Sequence, residues 1–393
     1  MNKSSTGLTV IALFIVSLNL RPAINSISPL LQTLQHDLGM SAFAASLLTT
    51  IPVLCMGLFS PMAAKLAGRW GIERVLSYSL FLIGAGTVMR FITHSAMFLL
   101  FTAFLAGLGI AALGPLLPAF IKSRFPNNVP TMISIYSVAL TLGAALSSSL
   151  SIPLQNGLHS WTGSLAIWSL LAFIAMPIWW FFVLRHITRT KGSSPSKSLM
   201  LPWRNVKAWL FTLSFGLMCM IFYSVTAWLP RIIQGMGYSK EYAGTALTLF
   251  VAIQIPVSLL LPSLLKRYPS RLLWLIAFSI IELIGILMVV LSVQPLIAAT
   301  LIGIGASALF SLNLLLPMDA TANAQEASAW SAKIQGVGYV IGATGPLLIG
   351  WIHDATGSFF FSVIGLVLIS LLMMLVQFLA VPGSSKEGVR MVG

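Results

Sequence analysis

The chain has 393 residues, of which 58% are hydrophobic and only 8% charged. Soluble domains carry about 25% charged residues, so this composition excludes a soluble protein and points to a membrane. The formal net charge of +14 would suggest nucleic acid as partner for a soluble protein; here Lys and Arg crowd particular loops, where they fix topology.

At about 20 apolar residues per span plus short loops, the length allows about twelve helices. Hydropathy places them near 8–34, 41–66, 74–93, 97–121, 131–154, 165–185, 207–233, 241–266, 271–291, 295–318, 328–352 and 359–380. The run from Leu8 to Val16 resembles the core of a signal peptide. No small-residue cleavage site follows it and the apolar pattern continues through Pro22, so a retained first span is expected. Arg21 stands roughly 20 Å into that span, near or somewhat past the middle of a ~30 Å hydrocarbon core. A charge at that depth costs a few kcal/mol, so it should face a protein interior or a wet cavity. Ser17, Arg21, Asn25 and Ser28 recur at spacings of four, four and three, which is one face of a continuous helix.

The loops alternate in charge. One side receives seventeen basic residues: Lys3, Lys65, Arg69, Arg74, Lys122, Arg124, six in the 185–207 stretch, Lys266, Arg267, Arg271, Lys386 and Arg390. The other side has three, Arg90, Arg231 and Lys240. This asymmetry predicts that both termini are cytoplasmic. Only Arg21 and Lys333 remain outside both sets. The polar, basic segment Gly192-Ser193-Ser194-Pro195-Ser196-Lys197 is the one substantial linker. It suggests an N-terminal six-helix bundle at 1–185, a cytoplasmic linker at 186–206, and a C-terminal six-helix bundle with a short tail at 207–393. Cys55 and Cys219 both fall within predicted spans, so no disulfide framework is indicated.

An internal repeat supports that division. Pro118, Tyr136, Gly143 and Ala144 match Pro317, Gln335, Gly342 and Ala343 at one offset of 199 residues. Pro29 and Pro61-x-x-x-Lys65 match Pro230 and Pro262-x-x-x-Lys266 at an offset of 201. Shared offsets near half the chain indicate a duplicated six-helix unit. Parallel halves with a site between them are a transporter plan.

The segment Leu18-Asn19-Leu20-Arg21-Pro22-Ala23-Ile24, followed by Ser28-Pro29-Leu30-Leu31, resembles the first helix of the cyanate permease and 2-nitroimidazole transporter family of the major facilitator superfamily. So do Leu47-Leu48-Thr49-Thr50-Ile51-Pro52, Pro118-Ala119-Phe120-Ile121-Lys122-Ser123-Arg124-Phe125-Pro126, Gly338-Tyr339 with Gly345-Pro346-Leu347, and Ile352-His353-Asp354-Ala355-Thr356-Gly357. The resemblance covers both halves in the same order. It implies an all-α membrane protein of twelve transmembrane helices in two pseudo-symmetric bundles, the major facilitator fold, working by alternating access. The cavity would be lined mainly by spans 1, 4, 7 and 10 with neighbours 2, 5, 8 and 11, leaving 3, 6, 9 and 12 peripheral. The superfamily's loop between spans 2 and 3 usually reads Gly-x-x-x-Asp-Arg-x-Gly-Arg-Arg and latches the inner gate. Here Arg69, Gly71 and Arg74 remain as the gating-loop candidates, but Gly68 stands at the aspartate position.

Within that frame the candidate substrate-binding residues are Arg21, Asn25, Tyr136, Tyr223, Asn313, Gln335 and Tyr339. Arg21 either bonds carbonyls that Pro22 leaves free or anchors an anionic or strongly dipolar substrate. The polar stripe, and the lack of an acid in the cavity helices of its own half, favour the anchor: an unpaired guanidinium forks onto two acceptors at once. Asn25 lies one turn away, while Asn19 is offset and suited to packing between helices. Tyr136 and Gln335 hold matching positions in the two halves, and Tyr339 shares the Gln335 face. Asn313 is either a cavity group or an interhelical bond. Tyr223 and Trp228 lie five apart and cannot share a narrow face, so at least one should pack or sit at the interface. Glu282, the one carboxylate deep in a span, is a candidate proton carrier or a structural group on a peripheral helix. Lys333 snorkels or draws anions to the inner mouth, the former being preferred. The five histidines fall near span ends and never cluster, so neither metal ligation nor nucleophilic chemistry is expected.

The expectation is a secondary transporter of a bacterial inner membrane, not an enzyme, carrying a small anionic or polar nitrogen-containing solute such as cyanate. The alternative is an exporter of nitroimidazole-like or other small drug molecules. A small-molecule substrate, protons as a candidate coupling ion and membrane lipid are the expected partners, with no nucleic acid, no cofactor and a monomer as working unit. A membrane-embedded enzyme would need paired carboxylates, clustered histidines or a metal site at membrane depth. At the repeat offset of 201, Arg21 maps onto Phe222 and Asn25 onto Thr226. The site should then be lopsided, a cationic wall from the first half facing an aromatic and polar wall from the second.

Overall fold

The computed structural model describes residues 3–125, 129–186, 202–321 and 324–381. Most of the predicted linker (187–201) and the C-terminal tail (382–393) lie outside the described residues. Within them, twelve helical stretches are long and apolar enough to cross a membrane, and no strand occurs. Spans 1 to 6 are Gly7–Leu38, Ala42–Ser60, Ile72–Ile92, Ala96–Ile121, Ile135–Leu158 and Trp161–Phe182. Spans 7 to 12 are Val206–Gly235, Lys240–Arg267, Arg271–Val290, Pro295–Asp319, Trp330–Thr356 and Phe360–Ala380. This is a multi-pass membrane protein built from two six-span bundles. An even number of spans returns the chain to the face where span 1 begins, called the terminal face below; the other is the far face.

Local chemistry sets where these helices start and bend. Ser41, Ser95, Ser160, Asn205, Ser239 and Ser270 each accept a hydrogen bond from a backbone N–H three residues on. Such caps satisfy amides that the first turn leaves without partners. Span 8 is interrupted at Ile253, three residues before Pro256, whose missing N–H leaves the preceding turn unclosed. Beside the break, the Gln254 carbonyl accepts from the Ser307 hydroxyl at 2.9 Å.

Span 1 departs most from expectation. It is not one straight helix but Lys3–Leu18, a turn, Pro22–Asn25, and a 3₁₀ turn Ser28–Leu30 leading into Leu31–Leu38. Pro22 cannot donate to the Leu18 carbonyl, and the helix opens there. The expected polar stripe is broken with it. Ser17 bonds back to the Leu13 carbonyl at 2.7 Å, whereas Ser28 reaches across to the Ala227 carbonyl of span 7 at 3.0 Å. Asn19 donates to the carbonyls of Ile15 (2.8 Å) and Leu171 (3.4 Å), so it packs span 1 against span 6.

The repeat is realised as repeated packing. A Cβ on Gly143 would fall on the Leu18 carbonyl, and one on Gly342 would fall 2.6 Å from Cys219 Cβ. Leu18 and Cys219 are themselves 201 residues apart. Each bundle therefore seats its inner first helix against a glycine of its fifth. The basic count needs correction at two places. Arg90 is fully buried and Arg231 lies within span 7; neither is a loop residue, because both spans run past the arginine.

Candidate functional site

Where the two bundles meet at mid-depth, the break in span 1 delivers Arg21. Its guanidinium lies over the Phe222 ring at 5.4 Å from the centroid, so the two repeat-related positions touch. The phenols of Tyr223, Tyr339 and Tyr136 stand within electrostatic reach of the same charge. Spans 1, 5, 7 and 11 thus converge on one cation. Arg21, Tyr136, Phe222 and Tyr339 all keep some accessible surface although they sit inside the bundle interface. A guanidinium stacked on an aromatic face still has in-plane N–H donors to offer. Among the described residues, none of the ion pairs involves Arg21.

The second-half wall is aromatic. Tyr339 packs edge-on against Phe215 (5.4 Å) and Tyr223 (6.4 Å), and Tyr223 against Phe222 (5.2 Å). The Tyr223 hydroxyl points back to the Met56 sulfur of span 2 at 3.9 Å. Trp228, five residues on, is fully buried and donates to the Pro346 carbonyl at 3.0 Å; it is the packing member of that pair.

The remaining candidates fall in three groups. Asn25 is buried one turn beyond Arg21, and its Oδ1 has no hydrogen-bond partner; the same holds for Oγ1 of Thr226, its repeat mate. Both are buried polar atoms without a hydrogen-bond partner, at matching positions of the two halves. Gln335 is partly exposed, one turn before Tyr339, without a side-chain hydrogen bond among the described residues. Asn313 does not join the Arg21 group. It is buried, accepts from Ser214 at 2.7 Å and donates to the Leu309 carbonyl at 2.8 Å, which makes it the bond holding span 10 to span 7.

The gating-loop residues lie on the terminal face. Gly71 has φ +89°, ends the span 2 helix and begins span 3. Arg69 and Arg74 are exposed and take part in none of the ion pairs among the described residues. The far face carries a latch that sequence reasoning did not identify. The Asp354 carboxylate accepts from the backbone N–H groups of Ala42 (2.8 Å) and Phe43 (2.7 Å), capping span 2 from the other bundle. Thr50 to the Ala343 carbonyl (3.1 Å), Ser148 with Thr248 (3.3 Å) and Lys240 to Thr33 (3.4 Å) also cross between bundles on that side. Among the described residues, no hydrogen bond joins the bundles on the terminal side of Tyr223 and Met56.

The structure places three further charged residues. Lys333 neither snorkels nor faces a mouth. It is 1% exposed, lies 3.9 Å from the Trp209 ring centroid and 5.6 Å from that of Trp203, and donates to the Pro202 carbonyl at 3.1 Å. It thereby clamps the end of the linker onto span 11. Glu282 is fully buried in span 9, remote from Arg21, with neither oxygen partnered. Arg90 sends Nη2 to the Ala23 carbonyl at 3.0 Å, inside the broken stretch of span 1. It is the positioning residue that sequence reasoning missed. The signal was present, since the predicted third span at 74–93 already enclosed it.

The chain matches the Major Facilitator Superfamily over residues 9–343. It is 31% identical over 379 residues to the cyanate transport protein CynX of Escherichia coli (strain K12), covering 92% of this chain and 96% of that protein. A 2-nitroimidazole transporter of the same organism is 31% identical over 370 residues, with 93% of each chain covered. Among solved structures, the nucleoside transporter NupG is similar with TM-score 0.79 at 12% identity, over 94% of this chain and 99% of that one. That last likeness is one of fold.

Proposed function

We propose, from the premise that this chain belongs to the Major Facilitator Superfamily, that it is a secondary active transporter of a small anionic or polar nitrogen-containing solute such as cyanate. The observation that carries this reading is Arg21: a cation at mid-membrane, reached by three phenols and an aromatic face and, among the described residues, by no carboxylate. A small anion supplies the missing countercharge, accepting from the guanidinium while the phenols donate to its other end. Asn25 adds an amide one turn away. Gln335 lines the entry from the terminal face. Tyr136, Tyr223 and Tyr339 set the size of the space.

The basic-residue asymmetry supports cytoplasmic termini in a bacterial inner membrane. The far face is then the outer one, closed by Asp354 on span 2, and the site communicates with the cytoplasm. Residues 1–185 rock against 207–393; breaking the outer set of bonds and bringing Arg69, Gly71 and Arg74 towards the second bundle completes the cycle. The working unit is one chain surrounded by lipid, with no cofactor.

A second reading has its own support. The rings of Phe222, Tyr223 and Tyr339 suit stacking on a flat nitro-aromatic, and the 2-nitroimidazole transporter is as similar in sequence as the cyanate one. Uptake into proteoliposomes of cyanate, other small anions and a nitroimidazole separates the two. For the anion reading, Arg21→Ala lowers cyanate uptake at limiting substrate by roughly 10- to 100-fold and Arg21→Lys recovers part of it. Unchanged uptake of every anion by Arg21→Ala would refute the anchor.

A further inference from the structure

A cavity of about 370 Å³ opens at the far end of the second bundle, between spans 7, 9, 11 and 12. It is separate from the Arg21 group: Arg231 on its wall lies nine residues beyond Phe222 on span 7, roughly 14 Å along the axis. Its size falls within the usual range of small-molecule sites, about 300–1,000 Å³. Arg231 and His353 line it, and one nitrogen of each, Nε and Nδ1, is buried within the wall without a short hydrogen bond. The two side chains are near enough to interact electrostatically.

The surroundings explain why those groups are available. The His353 ring packs on Phe359, at 4.1 Å, and lies beside Trp228, at 6.5 Å between centroids. Asp354 lies 4.0 Å from His353 Nδ1, but its two oxygens are committed to the span 2 amides. Among the described residues no carboxylate lines the cavity. Ile232, Val289, Phe359 and Phe360 supply apolar wall, and the floor adjoins a wholly apolar gap of about 10 Å³. Offsets of 199 to 201 carry Arg90, whose buried side chain fills its own bundle, onto Val289, Val290 and Leu291.

We propose that this cavity is a second anion site, which takes a carboxylate or phosphate carried on an apolar body, the oxyanion accepting from Arg231 and His353 and the body lying on Phe359, Phe360 and Val289. A free amphipathic anion and an anionic lipid of the adjacent leaflet share that chemistry, and both are tested. Val290, at the outer turn of span 9, lines the cavity, and the two native cysteines are buried.

The Val290→Cys protein in neutral phosphatidylcholine nanodiscs is labelled with a maleimide, with and without phenyl phosphate. At about ten times its dissociation constant, phenyl phosphate slows labelling about tenfold, since the free fraction falls as 1 + [L]/Kd. Adding Arg231→Gln removes that protection. Nanodiscs of phosphatidylglycerol without phenyl phosphate identify the source: slow labelling there points to lipid, and protection by phenyl phosphate alone points to a free solute. Absence of protection by either, or equal protection with Arg231→Gln, overturns the site. Should Arg231→Gln lower the melting temperature in neutral lipid, His353→Gln is read in its place by the same criterion.

Discussion

Spans 1 and 7 hold equivalent places in the two bundles, but one is broken at its centre and the other is a single helix from Val206 to Gly235. Both contain a proline at matching positions, Pro29 and Pro230, and both seat against a glycine of the fifth helix in their bundle. The difference is Pro22, for which span 7 has Tyr223 at the same offset. Duplication has therefore preserved the packing and let the chemistry diverge. The broken helix presents a cation and loose carbonyls; the intact one presents rings. On the proposed reading, a site that is cationic on one side and aromatic on the other would bind an anion without a second charge to repel or neutralise it.

The strongest test of that division is at Arg21 and Phe222. Arg21→Ala should lower uptake at limiting substrate by roughly 10- to 100-fold, the loss of charge-assisted hydrogen bonds of about 1.5–3 kcal/mol. Arg21→Lys should recover part of it, because the charge survives and the planar fork does not. Phe222→Leu should cost less, about threefold, since a cation–π contact at a partly exposed site is worth about 0.5–1 kcal/mol. Equal losses at the two positions would erase the distinction between the walls. Initial rates in proteoliposomes measure all three.

The next largest effect concerns what holds the broken helix in place. Arg90→Leu removes the donor to the Ala23 carbonyl and leaves that acceptor buried, at a cost of about 1–3 kcal/mol. Its melting temperature in detergent should drop by several degrees, and uptake should fall with it. Val290→Leu, at the equivalent register in the second bundle, should stay within about 0.5 kcal/mol of the parent. Span 7 is intact and needs no such tether, so a comparable drop for Val290→Leu would contradict the asymmetry.

These two tests also show what the sequence made legible. The twelve spans, the repeat and the outlying Arg21 were readable because hydrophobicity, duplication and a buried charge are one-dimensional signals. The repeat offset pairs Arg21 with Phe222 and sets a cationic wall against an aromatic one; that the two side chains touch is a finding of the structure. The helix break is not legible from Pro22, because a proline in a membrane helix sometimes only bends it and neighbouring spans decide the outcome. Asn313 and Lys333 were ambiguous for a related reason. Their partners, Ser214 on another span and the Trp203–Trp209 pair across the linker, are brought to them only by tertiary packing. The Asp354 latch was invisible because backbone amides at a helix start have no sequence signature of their own partner.

That latch gives a third, smaller effect. Asp354→Asn keeps the shape but removes the charge that the start of span 2 attracts, worth about 1 kcal/mol. The population closed at the far face should fall about fivefold relative to the open one. Spin labels at His94 and Val293, exposed and repeat-related on that face, should report a longer-distance component in the variant. A distance distribution identical to the parent would assign closure to the apolar contacts between spans 2 and 11 instead.

The smallest effect is expected at Glu282, and it bears on energy coupling. Glu282 lies in the second bundle's outer layer, where its Cβ faces Gly305 of span 10, and the neighbouring Ser279 bonds Gln377 of span 12 at 2.9 Å. Nothing in that environment connects it with Arg21. Replacing it with the isosteric Gln breaks no hydrogen bond among the described residues, since neither carboxyl oxygen has one. Glu282→Gln should therefore transport within about twofold of the parent, the change of an ordinary tolerated substitution of about 0.5 kcal/mol or less. Its response to an imposed pH gradient should also be unchanged. Loss of that response, with uptake by concentration gradient alone intact, would move proton coupling to the peripheral span. The second bundle would then carry a charge function of its own, and its contrast with the first would no longer be rings against a cation.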